Sequence, residues 1–333
     1  MILKPNLLFT ILLALLLAGC TGTRGTNVDR TSETIPGVIM SGVSDPSGSN
    51  IFRVSDGAGM TFEQLISGIA PSRVIFIGEA HDNPVHHLNQ AKIIEAISRE
   101  GRKPRVFFEM LDFNQADAVN DFQKKDWNPW EVNSALDWEK RGWYTFDIYL
   151  PIFEVIKREG LNFSPANING AELRTYGSGS FPYPAKKKLY ETTEIADETM
   201  NFLKKDILES HCGMLPESAA GKVTAFQLLR NAGMADAIQE NIDKGQVVIT
   251  GNYHAEKKTG AYLYLSPKMQ TDSVSVLQIE VGAEDNKADA VKEMEGHADF
   301  VILTPLIERE DPCEKMREMV KPAPKPTNET KNI

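Results

Sequence analysis

Residues 74–87 read Val74-Ile75-Phe76-Ile77-Gly78-Glu79-Ala80-His81-Asp82-Asn83-Pro84-Val85-His86-His87, and no other stretch constrains the fold as strongly. Four apolar residues run into a glycine, a carboxylate and, by position 87, three imidazoles; the whole chain has only six histidines. An apolar strand that ends abruptly in Gly-Glu-x-His has the form of the C-terminal lip of a parallel sheet. Open α/β folds place their ligands at that lip.

The rest of the chain repeats the alternation. Apolar runs at 105–110, 162–168, 246–250, 274–281 and 300–304 read as further strands. Between them, 86–97 has helical spacing, with Leu88, Ala91, Ile94 and Ile97 on one stripe. Helices are also expected near 115–122 and 146–158, and long ones over 191–209 and 222–243. Thr61 to Gln64 has capping-box spacing and opens a short helix through 69. A hairpin within 38–54 is expected around Asp45-Pro46-Ser47-Gly48. Strands alternating with helices make βαβ units. The expected fold is α/β: a mostly parallel central sheet flanked by helices, with a helical insertion near 185–243.

The N-terminus reads as a targeting signal. Lys4 precedes an almost continuous apolar run over 7–17, too short for a comfortable membrane span. Leu17-Ala18-Gly19-Cys20 resembles the lipobox of bacterial lipoproteins, which implies cleavage after residue 19 and lipidation, including palmitate, at Cys20. Thr21 after that cysteine implies the outer membrane under enteric-type sorting, with the protein facing the periplasm. The expected organisation is a signal peptide over 1–19, a flexible tether over 20–45, an α/β domain over 46–310 and a disordered tail over 311–333. The other two cysteines, Cys212 and Cys313, could bridge in an exported protein or stay free. The net charge of −10, with no long basic run, argues against nucleic-acid binding.

Three expected strands end in groups suited to one site: Glu79 with His81, Glu109, and Asn252 with His254. Imidazole and carboxylate together suit zinc, iron or manganese. The same groups can activate water as general base and orienting partner. His86 and His87 are adjacent at a helix start, about 100° apart in projection, so both cannot face one ligand. His211 and His297 read as structural or surface residues. All four tryptophans, Trp127, Trp130, Trp138 and Trp143, fall between 114 and 143. Most belong to a helical core; the sharper alternative is a flat wall for a planar ligand such as a porphyrin.

These residues also carry a resemblance. Gly78 to His87 followed by Gln90 resembles the opening motif of the ChaN-like haem-binding lipoproteins. Val106-Phe107-Phe108-Glu109-Met110, the segments Trp138 to Trp143 and Tyr149 to Phe153, Asn167 with Arg174, Gln227 to Ala235, and Gly251 to Ala255 resemble the motifs that follow, in order. The wider superfamily is similar to Tiki-type metallopeptidases and erythromycin esterases. The resemblance implies haem or iron uptake or storage, haem bound through tyrosine with a histidine near the propionates, and a homodimer holding stacked haems.

On that basis Tyr253, Tyr149 and Tyr144 are candidate iron ligands, and His81, His86, His87 and His254 candidate contacts to iron or propionate. The runner-up is a metal-dependent hydrolase. There Glu79 or Glu109 is the base, His81 and His254 bind a divalent metal or position water, and Glu79 is a further candidate ligand. A bland third reading is a partner-binding lipoprotein without chemistry. Two departures from the family pattern bear on the choice: Tyr253 stands where glycine is usual, and Asn231 where aspartate is usual.

Overall fold

A computed structural model of the protein describes residues 50–241, 245–311, 313, 314 and 317. The expected signal peptide, Cys20, the tether and most of the tail lie outside the described residues. The strands are β1 (Ile51–Arg53), β2 (Ala58–Met60), β3 (Val74–Glu79), β4 (Arg105–Asp112), β5 (Phe163–Asn167), β6 (Gln246–Gly251), β7 (Ser273–Val281) and β8 (Phe300–Pro305). They form one sheet in the order β2-β1-β8-β7-β3-β6-β4-β5. From β8 to β5 every pairing is parallel; β1 runs antiparallel to both β8 and β2.

β3 and β6 are buried along their whole length, which explains why they read as continuous apolar runs. Successive side chains leave a strand on opposite faces. Ile75 and Ile77 therefore enter one core, with helices Phe62–Ile69, Pro84–Arg99 and Leu150–Glu159 over it. Val74 and Phe76 enter the other, beneath helix Glu217–Gln239.

The helix after β3 starts sharply. The Asn83 side chain accepts the Val85 N–H, and Pro84 occupies the first turn, where its missing N–H is not needed. The connection from Glu79 to the helix is therefore only four residues long, 80–83, and holds His81 at the sheet edge. The capping box at Thr61 forms as the spacing predicts, with both hydrogen bonds made.

The expected turn around residues 45–48 lies outside the described residues; just after it a hairpin forms from Ile51–Arg53 and Ala58–Met60, turning through Gly57 at φ +66°. One expectation needs correction. The expected helix over 191–209 is two helices, Pro184–Thr192 and Asp197–Ser210. Thr193 is extended, and the new helix places Asp197 and Glu198 against its positive N-terminal dipole. With Glu217–Gln239 they form the helical insertion between β5 and β6. Cys212, just past the second of these helices, is disulfide-bonded to Cys313, with their Cα atoms 5.6 Å apart.

Candidate functional site

β3, β6 and β4 are neighbours, and Glu79 registers against Gly251. This brings the expected strand-end groups together. The Glu79 carboxylate is filled on both oxygens: Tyr149 donates its hydroxyl to Oε1 at 2.6 Å, His81 donates Nδ1–H to Oε1 at 2.7 Å, and Gln90 donates to Oε2 at 2.7 Å. Burial alone would raise this carboxyl, but His87 and His81 hold it well below the usual range.

Glu109 accepts the Thr250 hydroxyl at 2.6 Å and the Gly251 N–H at 2.7 Å, both on Oε2. Its pKa is lowered: burial pushes it up, but the His81 charge and the hydrogen bonds from Thr250 and Gly251 outweigh that. His81 Nε2 stands 3.7 Å from Glu109, so its ring spans the two carboxylates. Burial disfavours its charge, yet Glu109 and Glu79 raise it to about 9. His81 is therefore an imidazolium at neutral pH. Gly251 makes this approach feasible, because a Cβ there would sit 3.0 Å from His81 Nε2.

His254 is set differently. The Asn231 Nδ2 donates to the Thr259 carbonyl at 2.8 Å, which orients the amide. Asn231 Oδ1 then faces His254 Nδ1 at 2.6 Å and receives its proton. Burial pulls His254 down to about 4, so the ring is neutral. Its Nε2 is left without a proton, 3.4 Å from Glu109 Oε1. Asparagine in place of an acid thus fixes the tautomer without making the ring more basic.

Above these groups opens a cleft of about 1620 Å³, larger than the roughly 300–1,000 Å³ of ordinary small-molecule sites. His81, His254, Tyr144, Trp143, Phe226 and Arg230 are on its walls. Trp143 meets His81 edge-on, with ring centroids 5.2 Å apart. The other tryptophans do not form a wall: Trp138 and Trp127 are buried in the core and Trp130 is exposed on the surface.

Four candidate ligands are misplaced for that role. Tyr149 is fully buried beneath the cleft and spends its hydroxyl on Glu79. Tyr253 turns into the core under helix Glu217–Gln239, where its hydroxyl is buried without a partner. His86 Nδ1 accepts the Ala80 N–H at 2.8 Å and Nε2 donates to Thr304 at 2.9 Å, and burial lowers it to about 3. His87 is fully buried, its ring 3.9 Å from that of Tyr149 and its Nε2 donating to the His81 carbonyl. Both adjacent histidines are interior because the helix start is covered on two sides. His211 is also interior, against the Ile207 carbonyl, and His297 donates to Glu256.

As hydrolytic bases both carboxylates are already engaged: Glu79 accepts from Tyr149, His81 and Gln90, and Glu109 Oε2 from Thr250 and Gly251. Among the described residues no cluster of three or more His, Cys, Asp or Glu has metal-holding geometry. Glu79, with both oxygens already taken by Tyr149, His81 and Gln90, is poorly placed as a metal ligand.

Several residues had no individual role in the sequence reading. Thr250 and Gln90 anchor the carboxylates from inside the motifs. Arg309 makes a bidentate pair with Asp82 at 2.6 and 2.7 Å and also binds Glu280, closing one rim of the cleft. Asp82 lay within the opening motif; Arg309, in an irregular segment 227 residues away, carried no local signal.

The fold and site define an α/β ligand-binding protein whose cleft crowns the C-terminal edge of a parallel sheet. The model of the family described as haem-binding uptake, Tiki superfamily, ChaN matches residues 65–265, and the chain belongs to that family. Among solved structures, ChaN of Campylobacter jejuni, described as showing cofacial haem binding, is similar with a TM-score of 0.59 and 22% identity. The match covers 75% of this chain and 94% of that one. An erythromycin esterase in its open conformation is more distant, with a TM-score of 0.43 and 12% identity over 78% of this chain and 83% of that one. The type III effector HopBA1 has a TM-score of 0.42 and 14% identity over 78% and 95%. A search of functionally curated proteins finds no significant match.

Proposed function

We propose that this protein binds haem in the cleft and serves haem or iron uptake or storage. The observation that carries the reading is Tyr144. Of the three candidate tyrosines, it is the one on the cleft wall with a hydroxyl neither spent on Glu79 nor sealed in the core. It stands beside Trp143 in a chain of the haem-binding uptake family. Haem would supply an iron able to take a protein ligand, and a tyrosinate suits the ferric state. Burial and nearby Asp82 raise the Tyr144 phenol to about 12, so it needs the iron's charge to lose its proton. Tyr144 would hold the iron. The His81 imidazolium and the neutral His254 would contact the ligand from the cleft floor, and Trp143 would pack against the ring.

The cofacial haem described for the Campylobacter relative supports a homodimer bringing two haems together. The lipobox supports a lipid anchor at Cys20 in a bacterial outer membrane, with the domain facing the periplasm.

Titrating the purified protein with hemin is expected to give a Soret shift that saturates. Tyr144→Phe should alter the band and weaken binding. No saturable shift, or a band indifferent to Tyr144→Phe combined with His254→Ala, would refute the proposal.

A further inference from the structure

Helix Glu217–Gln239 presents Lys222, Phe226 and Arg230 to the cleft, four residues apart and hence on one stripe. Arg230 is the deepest of these and part-buried. Its Nη1 donates to Gln227 at 3.1 Å and its Nε to the Ile168 carbonyl at 3.4 Å. Among the described residues it has no ion pair. The acids whose charges reach it are already engaged. Asp112 is bound by Arg141 at 2.7 Å, and Glu109 is held by Thr250, Gly251 and the His81 imidazolium. A guanidinium keeps its charge at any working pH, and a poorly solvated charge without a counter-ion is unfavourable. Burial lowers the Arg230 pKa, and Glu109 and Asp112 only oppose that effect from a distance.

Two more cations extend the feature outward. Arg174, at the end of helix Gly170–Arg174, is exposed on the same wall and has no ion pair among the described residues. Lys222 lies 5.5 Å from the centre of the Phe226 ring. The wall thus offers positive charge on either side of an aromatic surface. The floor beside it holds the two carboxylates, Glu79 and Glu109, with the His81 imidazolium between them.

We infer that Arg230, with Arg174 and Lys222 nearer the mouth, is the subsite that receives the ligand's carboxylates, so the cleft selects a planar ligand bearing free carboxylates over its neutral ester. A guanidinium pairs with a carboxylate through two parallel hydrogen bonds, which fixes orientation as well as affinity. The inference rests on the haem reading and assigns that site its acid-recognising wall.

The test compares hemin with hemin dimethyl ester, followed by the Soret band and by quenching of tryptophan fluorescence. Wild-type protein is expected to bind hemin roughly tenfold or more tightly than the ester. Arg230→Gln should weaken hemin by a similar factor and leave the ester unchanged, with Arg230→Lys recovering part of the loss. Metal-free protoporphyrin should show the same dependence, because the subsite does not act on iron. Equal wild-type affinity for hemin and ester would overturn the inference whether or not the variant folds. Undiminished hemin binding by folded Arg230→Gln, or equal loss for both ligands, would do the same while leaving the haem reading intact. If neither porphyrin binds, both fail together.

Discussion

Raising the pH from 6.5 to 9.5 should remove a defined part of the folding stability through a single ring. His81 lies between Glu79 and Glu109, with its side chain only 14% exposed, and its pKa is raised to about 9. Unfolded, it titrates near 6.5. Below 6.5 both states hold the proton, and the stabilisation is fully present. Between 6.5 and 9 the native state keeps a proton that the unfolded chain has released, so stability falls with rising pH. Integrated from 6.5 to 9.5 the loss is about 3 kcal/mol, about half of it by pH 8. Urea unfolding at pH 6.5, 8 and 9.5 measures it. His81→Gln removes the titrating group and should flatten the profile across that window. Parallel losses in wild type and His81→Gln would refute the argument, as would a His81 ring resonance that titrates near 6.5.

The acid limb should be early as well. His254 and His86 are lowered to about 4 and about 3, so the unfolded chain takes up their protons first. Stability should drop by about 2 kcal/mol between pH 6.5 and 5.5, before the carboxylates titrate, and a flat urea midpoint across that interval would contradict it. Breaking the Cys212–Cys313 link, which spans 101 residues, frees the unfolded chain; Cys313→Ser should cost about 2–5 kcal/mol by urea denaturation under oxidising conditions. An unchanged midpoint would mean that the link does not constrain the unfolded ensemble.

Much of the site was readable because its parts lie at or near the ends of apolar runs. β3, β4 and β6 had to be buried on both faces, and a parallel sheet aligns their C-terminal ends, so Glu79, Glu109 and Gly251 converge. The departure at Asn231 was visible as a residue, but its effect needed the Thr259 carbonyl that orients it. Tyr149 and Tyr253 show where local reasoning fails. Both are tyrosines next to motif residues, yet one points beneath the cleft to Glu79 and the other into the opposite core.

The sequence by itself determined the order of strands and helices, the parallel class of the sheet and the lip on which the chemistry sits. Those follow from periodicity and capping, which act over a few residues. Only the tertiary structure decided which side chains reach the cleft, that both His86 and His87 are interior, that Cys212 meets Cys313, and that Arg309 closes the rim on Asp82. The reason is that burial and hydrogen-bond satisfaction depend on what covers each face, and that cover comes from segments far away in the chain.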